Sequence, residues 1–292
     1  MSGLRRAAAR IGLPAWFVVI DLLWIAKPDV LGIDARHYQR AASAWLAGGD
    51  PWAVVEGGGG NYAAGPHTLL FYAPTSLLPL AVSVGFWMVL GLAASIWLVR
   101  RLGVPAWWLF FPPLFHAVWN GNPQSVALAL LVLGGPIAAA VAVGLKLYAA
   151  LPLVTRPRAL LVAALALLAT LPFLPWQLYI ADGLGVSDHL STAWNGSAWR
   201  VPLLIPPTLV ALWILRQQGA EWLAVPAIWP ATQFYYVAMA LPVAVEWPFL
   251  AAALALPAPL LAPIAVMAMA ISSVWRGRQQ KPAAAPRLET AG

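Results

Sequence analysis

The sequence contains no cysteine, which excludes disulfides and thiolate metal sites. Charge is scarce. Only 9% of the 292 residues are charged, against about a quarter in ordinary soluble domains. No long polar block interrupts the apolar stretches that recur from Ile11 to Val274, so the chain does not read as a soluble domain with one anchor. Basic runs interleaved with aromatics are missing, so the net charge of +7 is not the footprint of a nucleic-acid partner. No convincing internal repeat is present, which weighs against a transporter built from duplicated halves. The first apolar segment holds Asp21 and lacks a small-residue cleavage site, so it reads as a retained signal-anchor helix.

Hydrophobic residues, by contrast, make up 62% of the chain. A membrane span needs roughly 20 apolar residues. The expected fold is all-α: a polytopic integral membrane protein of about 7–10 transmembrane helices, several short or broken by proline. Arg100, Arg101, Arg156, Arg158, Arg216 and Arg276 lie in short connections and termini, marking cytoplasmic loops by the positive-inside rule. The expected localisation is therefore the plasma membrane, multi-pass, with the N-terminus cytoplasmic. Spans are expected at residues 14–26, 82–99, 107–118, 125–133, 159–179 and 202–215. Residues 136–154 form a further apolar segment around a lone lysine, and one or two hairpins follow residue 216. Residues 1–275 read as one transmembrane domain and 276–292 as a disordered cytoplasmic tail. Extracytoplasmic loops are expected at 27–67 and 181–200, the first containing a mobile four-glycine flap, with residues 67–80 as an interfacial or re-entrant helix. The 17 tryptophans fit aromatic belts at the two interfaces.

The most polar feature is GIDARHYQRAASAWLAGGDPW, beginning at Gly32. Asp34 precedes a short helix that Gly48 and Gly49 close. Tyr38, Ala41, Ala42 and Trp45 fall on one stripe; Arg36, Gln39, Arg40 and Ser43 fall on another. This pattern describes an extracytoplasmic juxtamembrane helix with its apolar face toward lipid. On residue type alone Asp34 is either an N-cap or a functional carboxylate, and the first does not exclude the second. Asp50 reads as a turn residue before Pro51.

Asp34, Tyr38, Ala41 and the following GGDPW resemble the opening of the GT-C polyprenyl-phosphate-sugar glycosyltransferases. The likeness is to the branch containing the actinobacterial α-mannosyltransferases. The segment FYAPTSLLP is similar to that family's aromatic-Tyr-x-Pro segment, and Gly121, Asn122, Pro123 and Gln124 to its Gly-Gln-x-Asn turn with the amides exchanged. Lys146 follows an alanine-rich helix, Asn195 and Ser197 form a later Asn-x-Ser, and PATQFYY resembles a Pro-x-x-x-aromatic-aromatic segment. The motifs run in order from Asp34 to Pro242. The chain departs from the family in its shorter length, in Ala73 where a second proline is common, and in Tyr235 and Tyr236 where some relatives have histidine.

The resemblance implies Asp34 as general base for an inverting transfer, since a hydroxyl attacking an anomeric carbon needs a carboxylate within about 3 Å. One carboxylate suffices because polyprenyl phosphate leaves without protonation, unlike the leaving group of a glycosidase. Lys146, Arg36, Arg200 and Tyr72 are the expected donor-phosphate ligands. An intramembrane lysine costs about 2.5–3.5 kcal/mol on insertion scales and is usually functional, although a snorkelling lysine fits the same position. His37, Tyr38, His67, Asn120, Asn122, Gln124, Asn195, Ser197, Gln233 and Tyr236 are the expected sugar or acceptor contacts. The amides fit turn and cap chemistry equally, and the two histidines fit solvated loop positions. His116, in an apolar helix, reads as a structural hydrogen-bonding residue. Asp188 and His189 are two ligands and not a site, so no metal and no cofactor are expected.

The resemblance therefore implies a membrane glycosyltransferase. It would move a sugar, foremost mannose, from a polyprenyl-phosphate carrier to a lipid-linked or cell-envelope glycan, with membrane lipids as its surroundings. Two other readings stay open: a lipid-linked-sugar flippase or transporter, and a non-catalytic shortened relative acting as an assembly partner.

Overall fold

The structure, a computed structural model, describes residues 3–53, 55–56, 60–186 and 195–279. It is helical, with one small hairpin in which Val55 and Glu56 pair with Asn61 and Gly60. The first eight helices are α1 (Gly3–Ile25), α2 (Ile33–Leu46), α3 (Leu69–Ser76), α4 (Leu80–Arg101), α5 (Pro112–Trp119), α6 (Gln124–Leu133), α7 (Pro136–Leu145) and α8 (Pro157–Leu168). Beyond them, helices at Ile205–Ile214, Ala220–Ile228, Pro248–Leu254 and Leu261–Gln279 pack in part on one another and on the 3-10 segment Phe234–Ala240.

Among the described residues, one helix is long and apolar enough to cross a membrane: α4, with a mean hydropathy of 2.0 over its most apolar stretch. The expectation of about 7–10 spans is not met by helix length, because most other apolar segments are broken. Residues 107–118 split into a 3-10 turn, Ala106–Phe110, and α5. Pro112 and Pro113 cannot continue a helix from before them, since each lacks an N–H and clashes with the preceding turn. Residues 159–179 stop as an α-helix at Leu168 and pass through turns containing Pro172 and Pro175. The segment around Lys146 breaks at that lysine, which is extended at φ −148° between α7 and the 3-10 segment Leu147–Thr155. The last helix runs on through Arg276 to Gln279, so the expected disordered tail does not begin at 276.

Beside an apolar core, several large apolar side chains are exposed and several polar ones are buried. Leu77, Ile137, Phe173, Leu203 and Phe249 are each more than three-quarters exposed, while Asp21, Ser83, Ser95, Lys146 and Thr208 are buried. Large apolar side chains this exposed are uncommon on a monomer in water.

α2 is the short helix expected around Asp34, with corrections. Its N-cap is Gly32 in the left-handed region (φ 67°), so Asp34 lies inside the first turn and is not the cap. Its Tyr38, Ala41 and Ala42 stripe is covered by protein, chiefly α3 and α4, and so does not face lipid. Gln39, expected on the polar face, is buried and donates to the carbonyl of Leu78 at 3.0 Å. At the C-terminal end Gly48 takes φ 78° and Gly49 N–H bonds the carbonyl of Ala44 at 2.8 Å, closing the helix as its glycines foretold. Asp50 caps its own turn by accepting from Trp52 N–H at 2.9 Å. Residues 57–59 of the expected flap lie outside the described residues.

Candidate functional site

The turn between α5 and α6, Asn120-Gly121-Asn122-Pro123, is the platform on which α2 starts. Gly32 N–H bonds the Trp119 carbonyl at 2.8 Å, and Asp34 and Ala35 N–H both reach the Asn120 carbonyl, at 3.0 and 3.3 Å. These are the N-terminal amide donors that a helix leaves unpaired, so the turn takes the place of a side-chain cap. The approach is close. Gly121 adopts φ 66°, and a Cβ there would stand 2.7 Å from Ala35 Cβ. From the same turn, Asn122 Nδ2 donates to Asp34 Oδ2 at 2.7 Å, and Asn122 Oδ1 accepts from Gln124 N–H at 3.0 Å. The carboxylate of Asp34 is thereby aimed by a buried amide whose own orientation is fixed by the turn.

Gln124 carries the network onward. Its Oε1 accepts from the Tyr148 hydroxyl, beside Lys146. Lys146 is 4% exposed. Its Nζ donates to Tyr38 Oη at 2.5 Å and lies 4.9 Å from the Tyr38 ring, 6.0 Å from Tyr148, and 5.8 Å from each of Tyr235 and Tyr236. Aromatic faces attract a desolvated ammonium, by about 2 kcal/mol or more when water is excluded. Such a cage holds a cation without pairing it with a carboxylate of its own, and so leaves room for an anionic ligand. Tyr38 stacks on Tyr72 with ring centroids 4.5 Å apart, and Tyr72 on Trp87 at 4.1 Å, so α2 and α3 fix the cage from behind. Burial raises the Tyr38 hydroxyl well above its usual range, which keeps it neutral.

Asp34 and Lys146 line one cavity of about 680 Å³. Of the residues expected from the sequence, His37, Tyr38, His67, Asn120, Asn195, Arg200, Gln233 and Tyr236 line it as well. His67 Nδ1 meets the Gly144 carbonyl at 2.9 Å, and burial lowers its pKa to about 4, so it is a neutral imidazole. Asn195 Oδ1 accepts from Ser197 N–H at 2.9 Å and Ser197 Oγ at 2.8 Å, a closed turn that holds Asn195 at the wall.

Five expected residues do not line the cavity. Arg36 is turned to the carbonyls of Leu31, at 2.5 Å, and Asp29, at 2.9 Å, where it clamps the connection from α1 to α2. Tyr72, Asn122, Gln124 and Ser197 stand behind the wall and contact residues that do line it, namely Tyr38, Asp34, Tyr148 and Asn195. Asp188 and His189 lie outside the described residues, and among the described residues no group of three His, Asp or Glu side chains is placed to hold a metal ion.

Sequence reasoning passed over Trp24, Tyr62 and Tyr148, read His116 as structural, and named Tyr235 only as a departure from the family pattern; all five line the cavity. Tyr148 and Tyr235 carried a usable signal, adjacency to Lys146 and Tyr236. Trp24 and His116 carried none, because an indole and an imidazole in apolar helices look like core. Comparison of the chain with protein-family models, with curated proteins and with solved structures finds no match.

Proposed function

We propose that the chain is a polytopic GT-C-like membrane glycosyltransferase working at the extracytoplasmic face of the plasma membrane, with its N-terminus cytoplasmic. It transfers a sugar, mannose first among the expected ones, from a polyprenyl-phosphate carrier to a lipid-linked or cell-envelope glycan. The observation that carries the reading is one cavity containing a carboxylate aimed by an amide and a buried ammonium held within an aromatic cage. The uncovered aliphatic surface supports the membrane setting.

In the reaction, the acceptor hydroxyl oxygen forms the new bond to the anomeric carbon from the face opposite the phosphate. The carbon–oxygen bond to the phosphate breaks, and its electron pair leaves with the polyprenyl phosphate. Asp34 takes the hydroxyl proton, a role that contributes about 10²–10⁴-fold. Lys146, with Arg200 at the rim, stabilises the charge that gathers on the leaving phosphate. Groups preset toward developing charge in a water-poor site lower the barrier without reorganising.

The test is transfer from radiolabelled polyprenyl-phosphate sugars in membranes bearing the intact chain or Lys146→Met, alongside binding of unlabelled polyprenyl phosphate. Transfer and binding that both collapse in the variant are expected. No transfer from mannose, glucose or arabinose donors, with phosphate binding indifferent to Lys146, would overturn the reading.

A further inference from the structure

The cavity has a second polar cluster that the base and the cation leave unused. Trp24, near the C-terminal end of α1, stacks on His116 of α5 with ring centroids 3.9 Å apart. His116 Nε2 in turn faces Asn120 Nδ2 at 3.1 Å. All three side chains line the cavity, and His116 and Asn120 are 6% and 5% exposed. Trp24 Nε1, His116 Nδ1 and Asn120 Oδ1 are buried without a hydrogen-bond partner among the described residues.

That combination is costly unless something fills it. A buried polar atom left unpaired costs about 1–3 kcal/mol, and such atoms are few in a folded protein. Here three occur on side chains that touch one another and share one cavity wall. Their polarity defines the missing partner. Because Nε2 accepts from the Asn120 amide, the imidazole proton is on Nδ1. The cluster therefore offers two donors, Trp24 Nε1–H and His116 Nδ1–H, and one acceptor, Asn120 Oδ1. A hydroxyl has the complementary set, one O–H to give and two lone pairs to receive. A phosphate oxygen would meet Asn120 Oδ1 acceptor to acceptor, and an ammonium would meet two donors. Tyr235 stands between this cluster and the cation, its ring 5.7 Å from that of His116 and 5.8 Å from Lys146 Nζ.

We propose that Trp24, His116 and Asn120 form a hydroxyl-recognition subsite that binds a neutral, sugar-like polyol, separate from the anion pole at Lys146. Calling the bound polyol the acceptor rests on the glycosyltransferase reading; the binding itself does not.

The experiment uses the purified full chain in detergent micelles, with methyl α-D-mannopyranoside, its four monodeoxy analogues and undecaprenyl phosphate as probes. Dissociation constants are measured by ligand-observed NMR for the glycosides and by calorimetry for the phosphate. Trp24→Phe removes the indole N–H but keeps an aromatic ring for the stack, and His116→Phe removes the second donor. Each variant is expected to weaken glycoside binding at least tenfold and to leave undecaprenyl phosphate binding unchanged. One deoxy analogue is expected to bind the unaltered protein at least tenfold more weakly than its parent, and to be insensitive to both substitutions because the paired groups are already gone. The deoxy series needs no variant and holds even if a substitution impairs folding. Glycoside binding that is absent from the unaltered chain, or equal across the variants and all four analogues, would overturn the subsite. Loss of the transferase reading through the Lys146→Met assay would leave the glycoside result standing.

Discussion

Adding one methyl group at Gly121 should loosen the docking of α2 and with it the aim of Asp34. The cost has two separable parts. Gly121 holds φ 66°, and an alanine in that left-handed conformation costs about 1–2 kcal/mol. Its Cβ would also lie 2.7 Å from Ala35 Cβ, on the helix that carries Asp34, and overpacking of this kind costs about 1–3 kcal/mol. Gly103 has the same φ of 66° with nothing within 4 Å of a Cβ, so Gly103→Ala incurs the first part alone. Thermal unfolding in detergent should therefore rank the unaltered chain above Gly103→Ala and Gly103→Ala above Gly121→Ala. The second gap should be several degrees, at about 2–4 °C for each kcal/mol. Removing the opposing methyl group in Gly121→Ala/Ala35→Gly should recover the packing part as a positive coupling in a double-mutant cycle. Equal midpoints for Gly103→Ala and Gly121→Ala, or strict additivity with Ala35→Gly, would refute the idea that the turn seats the helix.

Three further outcomes follow from the same geometry. Asn122→Ala removes a charged hydrogen bond worth about 1.5–3 kcal/mol, so transfer should fall roughly 10- to 100-fold through kcat with KM little changed, read in a steady-state assay. His67 is neutral when folded, its pKa lowered from 6.5 to about 4 by burial, whereas the unfolded chain protonates near 6.5. The unfolded state thus binds the extra proton between these values. The His67 contribution to stability should fall by up to about 3 kcal/mol as pH drops from 6.5 to 4, and His67→Gln should make that stretch of a melting-temperature profile shallower. Asp21 buries both carboxylate oxygens without a partner among the described residues, so Asp21→Leu should raise the melting midpoint, by about 1–3 kcal/mol of stability.

The residues that announced themselves in the sequence are those whose type clashes with their surroundings. Asp34 and Lys146 stood out as charges in an apolar chain, and the glycines and amides of WNGNPQ stood out as a turn; the structure gathers all of them at one cavity or just behind its wall. Helix continuity was less legible. Hydropathy sums over a window and does not register that Pro112 and Pro113 start a new helix, or that the chain extends at Lys146, where no proline marks the break. Trp24 went unnoticed and His116 was read as structural for a different reason. Their composition is that of core residues, and only the absence of partners for their ring nitrogens separates them from it. Arg36 misled in the opposite direction: its guanidinium donates to the carbonyls of Leu31 and Asp29 and does not line the cavity.

The central claim is that Asp34 takes a proton from the acceptor in the cavity that Lys146 charges. The most direct measurement is sugar transfer from radiolabelled polyprenyl-phosphate mannose in membranes bearing the intact chain or Asp34→Asn at matched expression. The asparagine keeps the size of the side chain but cannot take the proton, so transfer should fall by about 10²–10⁴-fold while polyprenyl phosphate still binds. Transfer by Asp34→Asn at the rate of the intact chain would contradict the account.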